Sequence, residues 1–133
     1  FRRVLFRSDV VDGPSAKYFL DNFGVDGLMI GRATYGNPWL FREIKHYLKT
    51  GEMLPKPDVI ERVRVAKAHL SDSLNYKKDE FYAVMEMRKH WGLYFKGFIN
   101  FKQFKMKLMD VKTMSEVFAI LDDVASYYSS YNV

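Results

Sequence analysis

Apolar positions in the second half of the chain recur at helical spacing almost without a break. Ile60, Val63, Ala66 or Lys67, Leu70 and Leu74 make one stripe, and Phe81, Val84, Met85, Trp91 and Phe95 make a second. Phe101, Phe104 and Leu108 make a third, and Met114, Val117, Phe118, Leu121, Val124 and Tyr128 a fourth. The boundaries are written in the sequence as well. Asp58-Val59-Ile60-Glu61 and Thr113-Met114-Ser115-Glu116 have the form of capping boxes, Asp79 opens the second stripe and Gly97 closes it. Residues 58 to 131 therefore predict four helices, enough to bury a shared core as a bundle.

The first part has another rhythm. Asp12-Gly13-Pro14-Ser15 is a turn with proline near a helix start, and Gly24 is a natural stop, so the pattern predicts a helix over about 14–23. Val25 to Ile30 barely alternates and predicts a short strand buried on both faces. Asn37 then caps a helix with Pro38 at its first position, running through Trp39, Phe41, Ile44, Tyr47 and Leu48 to a stop at Gly51. Residues 52–57, with two prolines, read as a linker. Residues 9–51 are thus helix–strand–helix. A strand buried on both faces must pair on both edges, and this chain offers no partner strand, which implies an α/β domain missing upstream.

The run Gly27-Leu28-Met29-Ile30-Gly31-Arg32-Ala33, followed by Gly36-Asn37-Pro38-Trp39-Leu40-Phe41, is the segment best suited to chemistry. A strand that ends in Gly-Arg just before a helix start delivers backbone N–H groups toward an anion, the construction of a phosphate site. A plain turn with a solvated Arg32 fits the same pattern. Little else competes. There is no cysteine, which excludes disulfides, thiolate metal sites and a cysteine nucleophile within this chain and agrees with a reducing cytoplasm. His46 and His69 lack ligand partners at metal spacing, and His90 beside Trp91 reads as a packing residue. No apolar run approaches the ~20 residues of a membrane span.

The formal charge of +5 is concentrated. Residues 88 to 112 hold Arg88, Lys89, Lys96, Lys102, Lys105, Lys107 and Lys112 against one acid, Asp110, so the remainder is close to neutral. A patch of this kind suits a polyanion. Lys102 and Lys105 share a helix face opposite the Phe101/Phe104/Leu108 stripe, and with Lys89 and Lys96 they are candidates for phosphate contact. A solvated lysine face is the competing explanation. Arg88 lies near the buried face of its helix, where a pairing with Glu86 or Asp122 competes with an RNA contact.

The first eight residues, Phe1 to Ser8, do not read as part of a fold. They back-translate to TTC AGA CGT GTG CTC TTC CGA TCT, which matches the end of a common short-read sequencing adapter. Residues 1–8 are expected to be a translated library artefact joined to a truncated gene, with a native basic strand as the alternative.

The run from Val25 to Arg32, with Gly36-Asn37-Pro38-Trp39-Leu40-Phe41-Arg42-Glu43-Ile44, resembles the last barrel strand and following helix of bacterial tRNA-dihydrouridine synthases, B-type-like. Glu86-Met87-Arg88-Lys89-His90, with Tyr94-Phe95-Lys96-Gly97 after it, is similar to the signature of that family's C-terminal helical domain. The resemblance covers about residues 9 to 131 and implies a C-terminal fragment. The fold it implies is the C-terminal remnant of a TIM barrel over 9–51 and an all-α, tRNA-binding bundle over 58–133, so the chain as it stands is mostly α. It implies an FMN enzyme, reduced by NADPH, that reduces the C5–C6 bond of uridines in tRNA, cytoplasmic and monomeric in the parent, with no membrane.

Residue by residue, the resemblance places Gly31 and Arg32 at the flavin phosphate. It matches Asp9 to the acid of an Asn-Gly-Asp motif lining the FMN site. Here Ser8 stands for the glycine and Arg7 for the asparagine, a departure that falls at the adapter junction. It makes Arg88, Lys89, Lys96, Lys102 and Lys105 the RNA-contact candidates. The family's proton donor is a cysteine on an earlier barrel loop, so no catalytic residue is expected in this chain, nor turnover by it alone. Two other readings stay open: a non-enzymatic helical RNA-binding module, and another FMN barrel oxidoreductase acting on a small molecule.

Overall fold

Asp12 and Ser15 set the first helix in place. In the computed structural model, which describes residues 4–6 and 9–131, the Asp12 carboxylate accepts from the Ser15 N–H at 2.8 Å. The Ser15 hydroxyl accepts in return from the Asp12 N–H at 3.1 Å. This reciprocal cap satisfies two otherwise orphaned donors and starts α1 (Gly13–Asn22), which gives way at Gly24 with φ of 58°.

The next element is a strand, β2 (Gly27–Met29), and its partner corrects an expectation. Val4–Phe6 forms β1 and pairs with β2 in parallel, Val4 opposite Gly27 and Phe6 opposite Met29. Val-Leu-Phe is a β-prone apolar triplet, and an open strand edge accepts such a triplet whatever its origin. β2 is also shorter and wetter than predicted. Met29 is 57% exposed, because among the described residues only β1 pairs with β2 and α1 covers one side.

The entry to α2 (Leu40–Thr50) differs from the prediction as well. The helix begins at Leu40 after linked turns: Thr34 N–H donates to the Gly31 carbonyl, Asn37 N–H to Thr34, and Leu40 N–H to Asn37. Asn37 works through its backbone and its side chain does not cap. Gly51, at φ of 76°, closes the helix as predicted. Val10, Ala16, Phe19, Leu40 and Ile44 form the core here, with Leu28, Ile30 and Ala33 against it. Trp39 is buried, whereas Phe41 faces outward and is half exposed. Where α1 meets α2 the backbones approach so closely that a Cβ on Gly13 would lie 2.4 Å from the Tyr47 Cβ.

The chain divides into two compact units between Lys56 and Pro57. The second unit is four helices: α3 (Val59–Lys77), α4 (Glu80–Tyr94), α5 (Lys102–Asp110) and α6 (Met114–Ser129). Asp58 caps α3 by accepting from Glu61 N–H at 2.8 Å, but the box is only half made. The Glu61 carboxylate turns instead to Arg64, at 2.7 and 2.8 Å. At α6 the box is complete between Thr113 and Glu116, as predicted.

α3 packs on α4 and α6, and α5 packs on both α4 and α6. The core is Val63, Ala66 and Leu70, then Val84, Met87 and Trp91, then Phe104 and Leu108, then Val117, Leu121 and Val124. Full burial of side chains this size contributes about 1.5–3 kcal/mol each. Ile60, Phe81 and Met85 were placed inward by periodicity and are exposed, because the buried arcs of α3 and α4 run through Val59 and Val63 and through Ala83 and Met87. Arg62 ties α3 to the end of α4 by donating to the Tyr94 carbonyl at 2.7 Å. Among the described residues no helix is long and apolar enough to cross a membrane.

Candidate functional site

The first unit places its candidates at one end of the parallel pair. β1 and β2 run in the same direction and end in register at Phe6 and Met29. Asp9 follows the first strand and Gly31-Arg32 the second, so both loops leave the carboxyl edge of the sheet, where phosphates bind in parallel α/β folds. Gly31 has φ of −104° and ψ of −107°, and its carbonyl accepts from both the N–H and the hydroxyl of Thr34, at 3.0 and 2.8 Å. That pair of bonds fixes the carbonyl and winds Arg32–Thr34 into a single 3-10 turn. Arg32 and Asp9 are exposed. Ser8 and Arg7, where the sequence departs from the related motif, lie outside the described residues.

A guanidinium beside a glycine backbone is a suitable donor set for a phosphate. A carboxylate repels phosphate and accepts from hydroxyls, so Asp9 suits the polyol part of a flavin nucleotide. The residues present fit such a group.

The second unit gathers three of its five basic candidates. Arg88, Lys89 and Lys105 line one groove between α4 and α5, with Met85, Gly92, Leu93 and Met109. Lys105 lies against Gly92, where a Cβ would sit 3.2 Å from its Nζ. The ammonium thus rests beside the last turn of α4, where the partial negative charge of the helix end favours a cation.

Arg88 pairs with neither of the acids suggested by sequence. It donates from Nη2 to the Val111 carbonyl at 3.3 Å, and its Nε is buried with no hydrogen-bond partner among the described residues. Glu86 is engaged by Lys77 at 3.2 Å and by Lys89 at 3.5 Å, and Asp122 by Lys67 at 2.6 Å. Lys102 is exposed on α5 but does not line this groove. Lys96 lies at a separate cavity, beside Gly97, Phe98 and the tyrosines that end α6.

His69, His90 and Tyr94 form a packing cluster. The His69 and His90 rings lie 4.9 Å apart between centroids, tilted by 55°. Burial holds both below the ordinary histidine range and pushes Tyr94 up to about 12. Tyr94 therefore keeps its proton, and its hydroxyl shares a hydrogen bond of 3.0 Å with His69 Nδ1. Among the described residues no group of three or more metal-ligating side chains converges.

Gly92 and Arg62 were not singled out from sequence. A glycine four residues after Arg88 inside a strongly helical pattern was the available signal for close approach.

Comparison with known proteins adds a family. The dihydrouridine synthase (Dus) model matches residues 4–129. A tRNA-dihydrouridine synthase B of Pseudomonas putida KT2440 is 40% identical over 104 residues, covering 78% of this chain and 31% of that protein. A tRNA-dihydrouridine synthase B of Escherichia coli K12 is 35% identical over 129 residues, covering 96% and 39%. A protein of Rickettsia conorii named "Probable tRNA-dihydrouridine synthase" is 35% identical over 127 residues, covering 96% and 37%. The chain spans about a third of the length of the curated relatives it matches.

Proposed function

The chain belongs to the dihydrouridine synthase family, and from that premise we propose that the whole protein is an FMN-dependent tRNA-dihydrouridine synthase that reduces uridine to 5,6-dihydrouridine with NADPH. The observation that carries this reading is the extent of the relation, which runs from β1 into α6 and takes in both units. FMN, when bound, supplies the hydride chemistry that saturates the C5–C6 bond. This chain's residues do the holding. The Gly31 backbone and the Arg32 guanidinium take the phosphate, and Asp9 accepts from the polyol hydroxyls. Arg88, Lys89 and Lys105 in their groove, with Lys96 and Lys102, neutralise tRNA phosphates, a contribution to affinity that carries no sequence information. The proton for the second ring carbon comes from a cysteine in the rest of the parent, so this chain alone does not turn over.

The expectation that residues 1–8 are non-native stands against a family match that begins at residue 4 and takes in β1. The source DNA tests that point: genomic codons that differ from the adapter string would overturn it.

The experiment for the whole is flavin retention. The full-length parent is expected to purify with a flavin spectrum, and Arg32→Ala to lose bound FMN by at least about tenfold in affinity, the weight of one charge-assisted bond. A full-length protein that neither purifies with FMN nor takes it up, yet still binds tRNA, would leave a non-enzymatic RNA-binding protein in its place.

A further inference from the structure

The cavity at Lys96 is built unlike the groove at Lys105, and it points to a different kind of contact. Its volume is about 510 Å³, and its walls are Lys96 to Asn100 on one side and Tyr127, Tyr128 and Tyr131 on the other. The turn that forms the first wall is shaped by two left-handed residues, Gly97 at φ of 90° and Asn100 at φ of 62°. It is pinned from behind, because Tyr128 donates to the Ile99 carbonyl at 2.6 Å and its ring meets Phe98 edge-on at 4.8 Å. Tyr128 is thereby consumed as structure.

Tyr127 and Tyr131 line the hollow itself, Tyr127 also packing T-shaped on Phe104 at 5.3 Å and on Tyr128 at 5.0 Å. The Tyr127 and Tyr131 rings lie 4.9 Å apart at 47°, joined by a hydroxyl contact of 3.4 Å, and Tyr131 is 69% exposed. Two aromatic faces, one lysine and no acid thus line a preformed hollow. Cavities of about 300–1,000 Å³ hold flat organic groups, and aromatic side chains stack bases without regard to sequence.

We propose that this cavity receives an unpaired nucleobase of a bound RNA, stacked on Tyr131 and Tyr127, with Lys96 on the adjoining phosphate. The proposal rests on the tRNA reading above and deepens it. The α4–α5 groove reads charge alone, and this site selects RNA that offers an unstacked base. Preorganisation by Gly97, Asn100 and Tyr128 spares the ordering cost on binding.

The test uses the 133-residue chain with three probes: tRNA, a single-stranded ribo-oligonucleotide carrying 2-aminopurine, and a blunt RNA duplex of the same length. The fluorescent base is expected to be quenched on binding. Tyr131→Ala is expected to weaken the single strand about tenfold, from one lost stacking contact. It should leave duplex affinity and the salt dependence unchanged, because no charge is removed. Tyr131→Phe keeps the aromatic face and should bind as the unaltered chain does. Helix content by circular dichroism checks that the variants are folded. If Tyr131→Ala and Tyr127→Ala both bind the single strand like the unaltered chain while tRNA still binds, the stacking site is wrong and the tRNA reading stands. Equal weakening of single strand and duplex overturns it in the same way. If no RNA binds the unaltered chain or the full-length parent, both fall.

Discussion

Replacing Lys89 and Lys105 together by alanine removes two of the three cations that line the α4–α5 groove. Both are available to a polyanion. Lys89 is 64% exposed and its bond to Glu86 is long, at 3.5 Å, so little is lost when it turns to a phosphate. Arg88 is left in place, because its bond to the Val111 carbonyl would confuse a binding loss with a packing loss. Each phosphate neutralised releases about 0.7 to 0.9 of a counterion, so two lost contacts make the plot of log affinity against log salt shallower by about 1.4–1.8. Between about 50 and 200 mM salt, the unaltered chain then loses about tenfold more affinity for tRNA than the double variant does. Anisotropy of labelled tRNA, titrated at several salt concentrations, reads the slope directly. Lys17→Ala with Lys49→Ala removes the same formal charge from the first unit and is expected to leave the slope unchanged. An unaltered slope in the groove variant would refute the reasoning, and so would equal flattening in the control.

Three further outcomes follow from the geometry. Gly13→Ala places a methyl group 2.4 Å from the Tyr47 Cβ and 2.5 Å from its Cγ, so α1 must move off α2. Overpacking of this kind costs about 1–3 kcal/mol, read as a lower melting temperature of the first unit. Because the nearest atom is a Cβ, Tyr47→Gly should relieve the clash in the double variant and Tyr47→Ala should not. Burial lowers the folded-state affinity of His69 and His90 for protons, so the unfolded chain binds more of them. Stability of the second unit is then full above about pH 6.5 and falls as the pH drops below it, and His69→Gln should flatten that fall in a melting series. Thr113→Ala breaks a complete capping box and should cost about 1 kcal/mol by denaturant titration, with α6 frayed at its start.

What was legible in the sequence was local. Asp58, Asp79 and Thr113 all cap where their spacing says, because a cap depends on three or four consecutive residues, and Asp12, read only as part of a turn, caps α1 in the same way. Gly51 ends its helix for the same reason. The misses arose where a second partner decided the outcome. Glu61 abandons its cap for Arg64, a competitor three residues on. Asn37 yields to a run of backbone turns. Phe81 and Met85 fit the period but lie beside the arc that α3, α5 and α6 cover, a fact of tertiary packing.

The basic stretch was legible as composition and its partition was not. Lys105 joins Arg88 and Lys89 across the α4–α5 groove, beside Gly92, while Lys96, nine residues away in sequence, belongs to the tyrosine cavity. At the other end, Val4–Phe6 was set outside the fold and pairs in parallel with β2, within the stretch that the family match covers.

The most direct measurement is made on the full-length parent. It is incubated with FMN, NADPH and tRNA that lacks dihydrouridine, and the tRNA is then digested and analysed by mass spectrometry for uridines that have gained two hydrogens. Dihydrouridine at a defined position, diminished by Arg32→Ala and by the Lys89/Lys105 double variant, is the predicted result. Unmodified tRNA from a protein that is folded and flavin-loaded would contradict the account.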